Sequence, residues 1–167
     1  HEADGAAECG PNDKATATVI MDLVKAFERV ELVQVWHWGL YYGFPRALLA
    51  MVLTYFGYAR RLVVDGCTST QLQTYTAIVA GSRYSVCFLR MVLQWPMDRL
   101  LKNYPDLRLK VFVDDASLQL RREQWRLALD LLSMVDAITE YLEEDGLESS
   151  GGKSQVLVTT PWLRDRL

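Results

Sequence analysis

Two adjacent carboxylates, Asp114 and Asp115, lie between two stretches of alternating apolar and polar residues. Such stretches are typical of paired strands, so the acids are predicted at the turn of a hairpin. Because like charges held close together repel, the pair favours a divalent cation as its counter-charge. The alternative is an ordinary Asp-rich turn, since Asp is common in turns, where it bonds its own backbone.

A third carboxylate, Asp22, follows residues 17–21, an apolar and β-branched stretch that is typical of a buried strand. A carboxylate at a strand end and a carboxylate pair on a neighbouring hairpin could form one site for two Mg²⁺ ions. Two such ions, about 4 Å apart, stabilise the attacking and leaving oxygens of an in-line phosphoryl displacement. Hard oxygen ligands suit Mg²⁺ or Mn²⁺ rather than Zn²⁺.

The composition is that of one globular domain. The chain has 167 residues, half of them hydrophobic, and no apolar run long enough to span a bilayer. Its three cysteines have no paired spacing, which argues against a disulfide scaffold and a zinc site, so we expect an intracellular protein, nuclear or cytoplasmic. The net charge of −3 is unfavourable for phosphate binding, and any basic partner region is expected outside this chain, which we interpret as a fragment.

Apolar spacing predicts helices over residues 28–42, 45–56, 85–103 and 122–144, and Pro96 is expected to kink or split the third. Strands are predicted over residues 17–21, 107–113, 116–120 and 153–158. A further hairpin is predicted at Asp65-Gly66, with its returning strand within residues 72–79. This order predicts an α+β fold, a ferredoxin-like antiparallel sheet with helices packed on one face. Residues 1–14 are expected to be a flexible lead-in.

Three segments carry a resemblance to a known family. Residues 22–30, DLVKAFERV, resemble the first palm motif of the reverse transcriptases of non-LTR retrotransposons. Phe112-Val113-Asp114-Asp115 resembles the aromatic-x-Asp-Asp hairpin of that family, and Gly152-Lys153-Ser154 resembles its lysine-bearing motif. The motifs occur in family order over almost the whole chain. The resemblance implies a polymerase palm over residues 15–160, with residues 161–167 beginning the following segment.

The resemblance also implies an activity. It is RNA-directed DNA polymerisation, in which deoxynucleotides are added to a primer 3′-hydroxyl by two-metal phosphoryl transfer with Mg²⁺ or Mn²⁺. Asp22, Asp114 and Asp115 would be the catalytic, metal-binding carboxylates, and the carbonyl of Leu23 would be an extra metal ligand. The implied partners are an RNA template, a DNA primer, deoxynucleoside triphosphates, and the fingers and thumb regions of the parent protein, with no membrane.

Four residues would contact the nucleotide, namely Phe27, Gly81, Ser82 and Lys153. Phe27 would lie under the sugar and exclude a 2′-hydroxyl, and Lys153 would approach the triphosphate and act as an acid towards pyrophosphate. The residues alone leave other interpretations open. A Phe just after a strand is usually part of the core, and a Lys in a Gly-rich turn is usually just exposed.

The middle family motif, Gly-x-x-Gln-Gly-[Ser/Asp/Cys]-Pro-Leu-Ser-Pro, is altered. Ala80 stands at its Gln and Arg83 at its first Pro, while Gly81, Ser82 and Ser85 are kept. The change puts template handling in doubt but leaves the carboxylates intact. The alternatives are therefore a decayed or repurposed palm that only binds nucleic acid or protein, and a cyclase-type palm that joins nucleotides without a template. The motif at residues 22–27 argues against the cyclase.

Overall fold

The computed structural model of the protein describes residues 13–165, apart from the side chains of residues 162 and 163. Most of the predicted lead-in lies outside this range. In chain order the elements are β1 (Lys14–Met21), α1 (Ala26–Arg29), α2 (Leu32–Tyr41), α3 (Arg46–Phe56), β2 (Val63–Val64), β3 (Cys67–Thr68), α4 (Ser85–Asn103), β4 (Arg108–Phe112), β5 (Asp115–Glu123), α5 (Gln124–Glu144), β6 (Gln155–Val158) and α6 (Pro161–Arg164).

The main sheet has four strands in the order β4-β5-β1-β6, and every neighbouring pair is antiparallel. β5 is inserted between β1 and β4, which is the split arrangement of a ferredoxin-like fold. The prediction of an α+β, ferredoxin-like antiparallel sheet is therefore confirmed.

The two faces of this sheet differ because side chains alternate along each strand. Ala17, Val19 and Met21 of β1 and Leu118 and Leu120 of β5 are buried. They pack with the apolar stripe of α5, which consists of Leu127, Leu131, Met134, Ile138 and Leu142. We call the other side the open face; its residues include Thr16, Thr18, Ser117, Gln119 and Arg121, all partly or fully exposed.

Two predictions in the first half of the chain were wrong in detail. The helix predicted over residues 28–42 is divided into α1 and α2, because Val30 is extended (φ −60°, ψ 123°) and buries its side chain. The strand returning from Asp65-Gly66 is β3, directly after the turn, and not residues 72–79. Those later residues form only isolated bridges, from Leu72 to Arg60 and from Thr76 to Glu31.

The long helices follow the sequence closely. α4 has the predicted bounds and is not split at Pro96, which is buried with most of the apolar residues of that helix. α5 begins later than predicted because Arg122 and Glu123 extend β5. Gly146 adopts φ +71° after α5, as expected of a C-terminal cap. No helix within residues 13–165 is long and apolar enough to cross a membrane.

Asp145, directly after α5, should destabilise the fold at neutral pH. Burial raises the pKa of its carboxyl, and its Oδ2 is buried without a hydrogen-bond partner among the described residues. The charge also lies at the negative end of the helix dipole. Since the folded-state pKa is raised, wild-type stability falls as pH rises from below the ordinary pKa of 3.8 through that raised pKa.

Asp145→Asn removes this loss and is expected to stabilise the protein by about 1 kcal/mol at pH 7, with a smaller difference at pH 3. Urea unfolding at several pH values measures the difference in the free energy of unfolding between the variant and the wild type. Asp136→Asn is the matched control, since Asp136 is exposed on the same helix. A stability difference independent of pH would contradict the assignment.

Candidate functional site

The sheet brings the three predicted acids to one end. β1 pairs with β5 up to Met21 and Ala116, so extending this register by one residue sets Asp22 opposite Asp115. β4 and β5 are joined by Val113 and Asp114 alone, because Phe112 pairs with Asp115. We call the three carboxylates of Asp22, Asp114 and Asp115 the acid end. The hairpin predicted around the acid pair is present, with Asp115 as the first residue of β5 rather than in the turn.

The hairpin turn has an unusual backbone. Val113 has φ +60°, in the left-handed region where a β-branched residue is strained and glycine is favoured. Backbone strain of this kind persists only where surrounding structure enforces it, and it clusters at functional sites. Asp114 beside it is partly buried, whereas Asp115 is exposed.

Asp22 is held by the segment that precedes β6. The N–H of Ser150 donates to the Asp22 carbonyl at 2.7 Å, and the N–H of Val24 donates to the Glu148 carbonyl at 2.8 Å. Neither bond uses the carbonyl of Leu23. Lys153 Nζ lies 3.2 Å from Asp22 Oδ2, and the Asp22 side chain is 23% exposed. The lysine-bearing segment therefore supplies both a backbone clamp and a positive charge to Asp22.

The donor set of the acid end suits a hard divalent cation. Within residues 13–165 no group of three or more His, Cys, Asp or Glu side chains forms a ready-made metal cluster. Mg²⁺ does not require one, because it is usually held by one or two carboxylates, substrate phosphates and water. Asp22 and a carboxylate of the β4–β5 turn are the residues that could hold such an ion, which would replace Lys153 as the counter-charge of Asp22.

Phe27 is hydrogen-bonded to the segment that leads to Gly81 and Ser82. Phe27 is in α1, partly buried against the core, and its carbonyl accepts the N–H of Ile78 at 2.8 Å. Gly81 has φ +87°, and a methyl group added there would meet no atom within 4 Å. Ser82 is partly buried and its Oγ accepts the N–H of Tyr84 at 3.4 Å. The Gly81 segment thus borders open space near the first motif.

Ser85 lies next to Tyr84, the N-cap residue of α4. It is the first residue of the helix, it is buried, and its Oγ donates to the Val79 carbonyl at 2.5 Å. Arg83, at the position where the family has proline, is exposed. The serine therefore anchors the loop before α4.

One contact of the first motif was not predictable from the local sequence. Arg29 forms an ion pair with Glu148, which joins α1 to the segment that clamps Asp22. The two residues are 119 positions apart, so no local pattern could reveal the pair. Both side chains are substantially exposed, and such a pair contributes at most about 1 kcal/mol.

The comparisons with known proteins rest on structure alone. No family model and no curated protein matches the sequence. Telomerase from Candida tropicalis, in complex with a TWJ fragment of telomeric RNA, matches with a TM-score of 0.65 and 9% identity, over 92% of this chain and 27% of the telomerase chain. An apo form truncated from the C-terminal domain matches with a TM-score of 0.53 and 10% identity, over 87% and 31% of the respective chains.

The chain shares its fold with part of a telomerase. It is an α+β domain with a polymerase-like fold, and it spans about 30% of the length of the telomerase chains it matches. At 9–10% identity the likeness establishes the fold and not the chemistry.

Proposed function

We propose that residues 15–160 form the palm of an RNA-directed DNA polymerase of the non-LTR retrotransposon type. It would add deoxynucleotides to a primer 3′-hydroxyl on an RNA template. The observation that carries the proposal is the strand register, which ends at Met21 opposite Ala116 and so leaves Asp22 at the same end of the sheet as Asp115 and the Asp114 turn. The likeness to telomerase, a reverse-transcriptase-related polymerase, supports the fold that this chemistry needs.

Each residue of the site has a role in this proposal. Asp22 and Asp114, with Asp115 beside them, would hold two Mg²⁺ or Mn²⁺ ions, and the Leu23 carbonyl would be a further ligand. Bound there, the ions supply charge stabilisation to the attacking and leaving oxygens. The protein contributes the positions of the reactants and a fixed electrostatic environment. Lys153 would move from Asp22 to the triphosphate and protonate the pyrophosphate.

The nucleotide would lie between the first motif and the loop before α4. Phe27 would pack under the sugar and exclude a 2′-hydroxyl, and the open space beside Gly81 and Ser82 would admit the base and template. The incoming deoxynucleoside triphosphate, the RNA template and the DNA primer are the substrates of this site. Fingers and thumb regions of the parent protein would complete their binding.

A second candidate is a palm that binds nucleic acid or protein without turnover. The ion pair between Asp22 and Lys153 favours it, because that pair satisfies the carboxylate without any metal. The altered motif at Ala80 and Arg83 favours it as well. The acids remain in place, however, and a surface ion pair is weak enough for a metal ion to displace.

The test is templated extension by the full-length product of the gene. The protein is given a primed RNA template, deoxynucleoside triphosphates and Mg²⁺, and product length is read on a denaturing gel. We expect extension that follows the template and stops when the metal is chelated. A folded protein that gives no extension would favour the palm that binds nucleic acid or protein without turnover. Product formed without a template would indicate the cyclase-type palm.

A further inference from the structure

The end of the open face away from the acids is basic. A cavity of about 610 Å³ lies there, lined by residues of β1, β4 and β5 and by the start of α5. Lys14, Arg108 and Arg121 line it, and all three side chains are exposed. Strand alternation puts them on the open face, because Arg121 pairs with Thr16 and Arg108 pairs with Gln119. We call these three residues the basic end.

These cations differ from the two arginines next to them. Arg122 is neutralised by Asp106 at 2.6 Å and by Asp130 at 3.3 Å, and Arg126 lies 3.7 Å from Asp130. Lys14, Arg108 and Arg121 form no ion pair with any residue in 13–165. The carboxylate nearest in register, Glu123 opposite Lys14, instead accepts the indole N–H of Trp125 at 3.1 Å.

The register holds the three cations close together. Arg121 is the diagonal neighbour of Lys14 on one side and of Arg108 on the other. Diagonal neighbours in an antiparallel sheet are about 7–8 Å apart. Like charges at this spacing repel weakly in water, and an anion that lies over them relieves the repulsion. A row of phosphates satisfies all three at once.

The acid end and the basic end lie on the same face, and mostly polar side chains lie between them. Thr16 and Thr18 of β1 and Ser117 and Gln119 of β5 lie between them. The exposed Ile20 of β1 and Lys110 of β4, which both pair with Ser117, lie on the same stretch of this face. From Lys14 to Asp22 the chain advances eight residues, about 26 Å at the rise of a strand. At about 3.4 Å per base pair this distance corresponds to about eight base pairs of duplex.

We infer that the basic end binds the phosphate backbone of the primer–template duplex about eight base pairs behind the primer 3′ end. The inference rests on the proposed function, which sets that 3′ end at the acid end. Lys14, Arg108 and Arg121 contact phosphates and read no base. They hold the duplex along the open face, so that its end lies over the carboxylates.

The test is binding of the full 167-residue chain to labelled primer–template duplexes, measured by fluorescence anisotropy without nucleotides. One duplex has about five base pairs and the other about fifteen, and both carry the same single-stranded template overhang. Only the longer duplex is long enough to reach the basic end. The variant is Arg108→Gln with Arg121→Gln. Both residues are exposed and unpaired, so the fold should be unaffected.

We expect the double variant to bind the longer duplex about tenfold more weakly, and the shorter duplex within about twofold of wild type. The slope of log K against log salt should fall by roughly two on the longer duplex only. The control, Arg90→Gln with Lys102→Gln, removes the same charge from exposed positions on α4 and should behave as wild type.

Three results would overturn the inference. The first is an equal loss of affinity for both duplexes in the double variant. The second is an equal loss of affinity in the control variant. The third is displacement of the longer duplex from the cavity of the wild type by inorganic triphosphate, at the concentration that saturates the acid end. The readout involves no turnover, so it is independent of catalysis. Length-dependent binding without extension would refute the proposed activity alone, and extension with unchanged duplex binding in the variant would refute the basic end alone.

Discussion

Asp22→Asn should lower templated nucleotide addition on the order of 10³-fold, with little change in stability. A metal pair contributes several kcal/mol of transition-state stabilisation, and a loss of about 4 kcal/mol is a factor of about 10³ in rate. Asp22 is central to the site because the register sets it against the β4–β5 turn. An amide in its place keeps the shape but not the charge.

Stability should change little because the partner that Asp22 loses is weakly held. Lys153 is 74% exposed, and an exposed ion pair is worth about 0–1 kcal/mol. The backbone bond from Ser150 to the Asp22 carbonyl is independent of the side chain and remains. A loss of activity with unchanged unfolding would therefore report chemistry rather than misfolding.

The measurement is single-turnover extension of a primed RNA template, with Mn²⁺ binding to the same variants followed by electron paramagnetic resonance. Asp114→Asn should match Asp22→Asn in both readouts. Asp136→Asn makes the same change at an exposed position on α5 and should match wild type. If Asp22→Asn extended primers at the wild-type rate, the metal-binding role of this residue would be wrong.

The local sequence was sufficient to predict the long elements. α4 has the predicted bounds, and α5 and β1 differ from the prediction only at their ends, because each carries an unbroken period of apolar residues. The α1–α2 break was missed because Val30 is buried by tertiary contacts while its backbone is extended. The returning strand was misplaced because Asp65-Gly66 closes a hairpin only two residues long on each side.

In the site, too, local patterns were predictable and long-range contacts were not. The strand ends that carry Asp22, Asp114 and Asp115 were predictable, because acids after apolar strands mark the edge of a sheet. The contacts that each acid forms with other side chains could not be predicted. The approach of Lys153 to Asp22, and the gathering of Lys14, Arg108 and Arg121 at the far end, depend on strand register. Register is fixed by long-range pairing, which no local pattern encodes.

Phe88→Ala should destabilise the fold by about 3–5 kcal/mol, the usual cost of removing a buried aromatic side chain. Phe88 lies in α4 and is fully buried. Its ring centroid lies 5.6 Å from that of Phe44, 6.0 Å from that of Phe56 and 6.1 Å from that of Tyr84. The substitution would leave a cavity between α3, α4 and the loop that carries Gly81.

Urea unfolding followed by circular dichroism measures this cost, and total stabilities of single domains are only about 5–15 kcal/mol. Leu129→Ala is the control, because Leu129 is 63% exposed on α5 and should change stability by less than about 0.5 kcal/mol. A midpoint shift for Phe88→Ala no larger than that of the control would refute the aromatic core. A full shift with retained duplex binding would show that the open face keeps its form when the opposite side of the sheet is weakened.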